Sequence, residues 1–124
     1  MNESGAMASM NEAEMLAELE RIVRHAGRMA MDLRPHLDVR RKADGSVVTQ
    51  ADVAIEDFLA AELGRLRPDA AFVGEERPLP AVGADAPAWI VDPIDGTDGY
   101  RQGLAYFGVS VGLARGAEFL LAAF

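Results

Sequence analysis

Cysteine is absent from the 124-residue chain, so neither a disulfide framework nor a thiolate metal site is open to it. Any metal must be held by oxygen or by one of only 2 histidines. No apolar run approaches the roughly 18 residues that cross a bilayer, and the N-terminus offers no signal-like apolar core. The expectation is a cytoplasmic protein with no membrane contact. Basic residues are in the minority, 12 against 20 acidic ones, and a formal net charge of −8 would repel nucleic acid. The one compact basic run, Arg40-Arg41-Lys42, is short enough to be a solvated loop. An acidic chain can still take an anionic substrate where bound cations reverse the local potential.

The length suits a single domain of the usual ~100–200 residues, with no room for a second. Residues 1–10 are small and polar with scattered methionines and are expected to form a disordered leader. From Asn11 the pattern changes: Met15, Leu19, Ile22, Val23, Ala26, Met29, Ala30 and Leu33 recur at three- and four-residue steps. That spacing predicts a helix with one apolar face, capped by Asn11 with Glu14 and ended at Pro35. His25 and His36 in this segment are expected to be packing or surface residues.

Asp44-Gly45-Ser46 between Val39 and Val47-Val48 signals a short hairpin. A second helix follows from Thr49, with Ile55, Phe58, Leu59, Leu63 and Leu66 on one face and Pro68 closing it. Asp52 stands three residues after Thr49, the spacing of a capping box, so a purely structural role for it is open. Two apolar runs then end in carboxylates: residues 70–73 lead into Gly74-Glu75-Glu76, and residues 88–91 lead into Asp92, where the second strand is expected to stop. The proline-bearing stretch between them reads as an exposed loop. A helical turn after Thr97, a strand from Phe107 to Ala114, a turn at Arg115-Gly116-Ala117 and a partner strand complete the chain. Its apolar last residues, through Phe124, would leave an unpaired edge, so a missing C-terminal half is expected.

Glu75, Glu76, Asp92, Asp95 and Asp98 crowd sharp turns. Converging carboxylates repel one another unless cations neutralise them, and Mg2+ prefers such oxygen donors while sharing its shell with a phosphate. Pro93 stiffens the backbone after Asp92 and helps aim the Ile94 carbonyl, while Gly96 clears space for an anion beside Thr97. The three-residue spacing of Asp92 and Asp95 disfavours a phospho-aspartate mechanism of the haloacid dehalogenase type. An EF-hand is equally poor, since it needs oxygens at alternate positions after a helix.

Gly74-Glu75-Glu76, then Trp89-Ile90-Val91-Asp92-Pro93-Ile94-Asp95-Gly96-Thr97, with Val48-Thr49-Gln50-Ala51-Asp52 upstream, resembles the signature of the inositol monophosphatase family of magnesium-dependent, lithium-sensitive phosphomonoesterases. The resemblance runs from about Met15 to Phe124 and covers roughly the N-terminal half of a typical member. It implies an α+β fold, a layered sandwich of the sugar-phosphatase type with paired helices on an antiparallel sheet, here the N-terminal portion over residues 11–124. It implies two or three Mg2+ ions, held by Glu75, Asp92, the Ile94 carbonyl and Asp95. Asp52 and Thr97 would orient the attacking water, with Glu75 also contributing to catalysis. Gly96 and Thr97 N–H groups would bind phosphate, and Glu76 and Lys42 would support the site. A homodimer and a small phosphorylated substrate are implied as partners. Inositol 1-phosphate leads as substrate, with histidinol phosphate and a 3′(2′),5′-bisphosphate nucleotide as alternatives. The family's further metal-binding aspartate, in a Trp-Asp-x-Ala motif, has no counterpart in these residues, which leaves a non-catalytic metal-binding module as the alternative of another class.

Overall fold

The computed structural model describes residues 10–104 and 107–124. Of the expected leader, residues 1–9 lie outside the described residues, and Met10 packs against the core. Helix α1, Glu12–Leu33, begins where the Asn11 side chain accepts the Glu14 N–H at 2.8 Å. Met15, Leu19, Ile22, Ala26 and Ala30 form its buried stripe, as the periodicity predicts. Pro35 turns its end into a 3-10 segment, Arg34–His36. His25 stacks on Phe58 with ring centroids 4.6 Å apart, a packing role.

Strands β1, Val39–Arg41, and β2, Val47–Thr49, form the expected hairpin. Its turn is held by Asp44, which accepts from both the N–H and the hydroxyl of Ser46, while Gly45 takes a φ of 89°. Helix α2, Gln50–Leu66, starts at the Thr49–Asp52 capping box and packs on α1. Ile55, Leu59 and Leu63 are fully buried, each contributing about 1.5–3 kcal/mol over exposure.

The helix pair covers a sheet of β3, Ala71–Gly74, β4, Pro87–Asp95, β5, Gly108–Arg115, and β6, Glu118–Ala123, in that spatial order. Trp89, Val91, Val111 and Leu113 join the helices' apolar stripes in one core. The antiparallel sheet expected from the sequence is found from β4 to β6, whereas β3 joins β4 in parallel. Residues 75–86 return the chain to the sheet's starting edge, so β3 and β4 run the same way and end at the same edge. Their register pairs Gly74 with Val91, which sets Glu75 level with Asp92.

Strand β4 also runs past the end expected at Asp92. Asp92 pairs with Ser110 and Asp95 with Gly108, so β4 carries one more residue than β5 over this interval, a bulge. Pro93 lies inside it, where its missing N–H costs no ladder bond. A short helix α3, Thr97–Arg101, follows directly.

Candidate active site

The shared edge of β3 and β4 opens into a cavity of about 850 Å³. Glu75, Asp92, Ile94, Asp95, Gly96 and Thr97 line it from the strand tips, and Lys42 and Arg41 line it from the hairpin. Lys42, Glu75, Asp92, Ile94, Asp95, Gly96 and Thr97, seven residues to which the family resemblance gives a role, thus meet in one place. Asp52 reaches the same point from α2. Its Oδ2 accepts the Thr49 N–H and hydroxyl, each at 2.7 Å, and its Oδ1 accepts the Thr97 hydroxyl at 3.0 Å. Helix cap and site contact therefore coexist on one buried carboxylate.

Gly96 takes φ 88° at the start of α3, a left-handed conformation that disfavours any side chain. The first α-helical bond back to this turn is Tyr100 N–H to the Gly96 carbonyl at 2.9 Å. The N–H groups of Thr97, Asp98 and Gly99 precede it and have no intrahelical acceptor. The Thr97 hydroxyl also lies 3.0 Å from the Ile94 carbonyl, so its single proton is shared between that oxygen and Asp52. The charged acceptor makes the stronger bond.

Glu76 does not line the cavity itself but binds Lys42, which does, at 2.8 Å. That contact raises the Lys42 pKa, and it ties the hairpin to the β3 tip. Asp98 stands at the rim, paired with Arg101 at 2.7 Å and with its side chain largely exposed.

The carboxylates burden one another. Burial first, then the charges of Glu75, Asp95 and Asp52, push the Asp92 pKa up to about 6, against the opposing pull of the Ile94 N–H. Asp92 Oδ1 is buried and has no hydrogen-bond partner among the described residues. A buried carboxylate oxygen left without a donor, facing oxygen-rich neighbours, fits a hard divalent cation. The side chains do not themselves converge into a tight cluster of three or more ligands among the described residues.

Two residues escaped the reading of the sequence. Glu56 is almost fully buried behind the β3 tip, although a glutamate in mid-helix is ordinarily surface. Its position four residues after Asp52 puts both carboxylates on one face of α2, a signal that could have marked it. Arg34 donates from the end of α1 to the carbonyls of Tyr100, at 2.9 Å, and Leu104, which fastens α3 to the helical layer.

A sequence model of the inositol monophosphatase family matches residues 11–123. The inositol-1-monophosphatase of Mesorhizobium japonicum is 39% identical over 85 residues, which are 68% of this chain and 32% of that protein. The extragenic suppressor protein SuhB of Bartonella henselae superposes with a TM-score of 0.76 at 29% identity, covering 86% of this chain and 42% of that one. For the Thermotoga maritima IMPase the TM-score is 0.73 at 28% identity, covering 82% and 40%. The chain spans about a third of the length of the curated relatives it matches. No helix among the described residues is long and apolar enough to cross a membrane.

Proposed function

Because the chain belongs to the inositol monophosphatase family, we propose that the protein is a Mg2+-dependent hydrolase of phosphate monoesters, with inositol 1-phosphate as its leading substrate. Family membership supports a phosphatase-type function, and the finer reading rests above all on one observation. Asp92 has a buried carboxylate oxygen with no partner among the described residues, at the strand edge where Glu75, Ile94 and Asp95 also line the cavity.

Those four residues would hold the Mg2+ ions. Bound there, Mg2+ supplies positive charge that lowers the pKa of a water and offsets charge building on the leaving oxygen. The protein's own groups do the rest. With its O–H donated to Asp52, the Thr97 hydroxyl keeps lone pairs that can accept a hydrogen bond from the attacking water and fix its direction. Gly96 and Thr97 offer N–H groups to the phosphate, and the bare Cα of Gly96 lets it approach. Lys42, anchored by Glu76, brings a positive charge to the same cavity. No covalent enzyme intermediate is required. A homodimer in the cytoplasm belongs to the same proposal, as do histidinol phosphate and bisphosphate nucleotides as competing substrates.

The test is release of inorganic phosphate from the three candidate esters, with and without Mg2+, by the wild type and Asp95→Asn. Mg2+-dependent turnover lost in the variant supports the reading, and the preferred ester names the substrate. Metal binding without turnover of any ester would favour the non-catalytic module.

A further inference from the structure

Glu56 lies on α2 with its carboxylate buried against the loop that carries Glu75. Its Oε1 accepts the Glu76 N–H at 2.9 Å, so it holds the residue after Glu75. It also abuts the residue before. A Cβ placed on Gly74 would sit 2.5 Å from Glu56 Cδ, an overlap that leaves glycine as the residue that fits. The backbone on both sides of Glu75 therefore rests on one side chain. Arg77 supplies the countercharge: its Nε is 3.3 Å from Glu56 Oε2, while its Nη2 binds Asp57 at 2.7 Å.

A buried carboxylate is costly to keep, and an apolar side chain would fill the same volume without that cost. What the carboxylate adds is direction. It accepts a charge-assisted bond from one fixed N–H and an ion pair from the next residue, and both fasten the turn rather than the helix. We propose that Glu56 is a positioning residue for Glu75, its buried carboxylate packing against Gly74 and holding the Glu76 N–H so that the Glu75 side chain is presented to the cavity ready to take a divalent cation. The inference rests on the metal site described under the proposed function. It assigns Glu56 no contact with metal or substrate.

Mn2+ binding to the full chain, read by electron paramagnetic resonance of the free ion, tests this without requiring turnover. Glu56→Gln keeps the shape and removes the charge. The expected result is a cooperative melting transition, an Mn2+ affinity about tenfold weaker and faster hydrogen exchange at the Glu76 amide. A residue that merely fills space would change the melting temperature and leave the affinity alone, so a folded Glu56→Gln chain with wild-type Mn2+ affinity overturns the proposal. Should that variant fail to fold, Arg77→Gln loosens the same carboxylate from a partly exposed position. Weakened Mn2+ binding there supports the proposal, and unchanged binding overturns it. Glu75→Gln separates the two levels: if it binds Mn2+ as the wild type does, the metal site falls and the role of Glu56 falls with it. If Glu75→Gln loses binding while folded Glu56→Gln does not, only the role of Glu56 is lost.

Discussion

Asp52 and Thr97, 45 positions apart in sequence, meet through a 3.0 Å hydrogen bond that joins the start of α2 to the start of α3. The same carboxylate takes two further bonds from Thr49, so three donors converge on a buried group with only 2% of its surface exposed. An amide in its place presents one oxygen and an NH2 group that has no use for a donor. Asp52→Asn should therefore destabilise the chain by about 1–3 kcal/mol. Thr97→Ala and Asp52→Asn should be coupled by about 0.5 kcal/mol or more in a double-mutant cycle of denaturant unfolding. Strict additivity would mean the bond carries no energy.

Gly96 is the hinge between β4 and α3, and its φ of 88° lies where side chains are strained. Gly96→Ala should cost about 1–2 kcal/mol, seen as a lower melting temperature. Gly96 also lines the cavity, so under the proposed function phosphate-ester turnover should fall by more than the loss of folded protein explains. A variant as stable and as active as the wild type would show that the turn relaxes without cost.

Much of this arrangement was legible in the residues themselves. Three- and four-residue apolar steps located both helices, and Asn11, Thr49 and Pro35 marked their ends, because caps and prolines act locally. Asp44-Gly45-Ser46 announced the hairpin for the same reason. The parallel pairing of β3 with β4 was not legible: a short apolar run bears no sign of its partner's direction, which here depends on the path of residues 75–86. The extension of β4 to Asp95 was hidden by Pro93, which ordinarily argues against a strand and is accommodated here at a bulge. Glu56 was hidden because burial of a charge depends on partners, Glu76 and Arg77, that arrive from twenty residues downstream.

Arg34 closes α3 against α1 with a two-pronged grip on the Tyr100 and Leu104 carbonyls, its guanidinium also lying 5.2 Å from the Tyr100 ring centroid and 4.9 Å from that of Phe107. Lysine has the charge but neither the fork nor the flat face. Arg34→Lys should then behave as a loss, lowering stability by about 1–2 kcal/mol through one broken charge-assisted bond and weakened stacking. Amide hydrogen exchange should accelerate in residues 97–104 first. Uniform acceleration over the whole chain would point to a global effect instead.

Asp92 makes the sign of a pH effect testable. Its folded pKa of about 6 stands above the ordinary carboxylate value of 3.8, so the folded chain holds this proton more tightly than the unfolded one. Between those two values the folded state binds more protons, and linkage then makes stability rise as pH falls from above 6 toward 4 and level off below. Other carboxylates contribute in the opposite sense, as Asp44 does, whose bonds from Ser46 lower its pKa. The difference between wild type and Asp92→Asn isolates the one group. In metal-free buffer the variant should melt higher than the wild type at pH 7, with the gap closing as the pH approaches 4. On the proposed metal site, added Mg2+ should reverse the order at pH 7: a cation held by Asp92 in the folded wild type would stabilise it by mass action, and the variant would lack that carboxylate. Parallel melting curves for the two proteins across this range, with Mg2+ shifting both equally, would mean that Asp92 neither feels its acidic neighbours nor binds the ion.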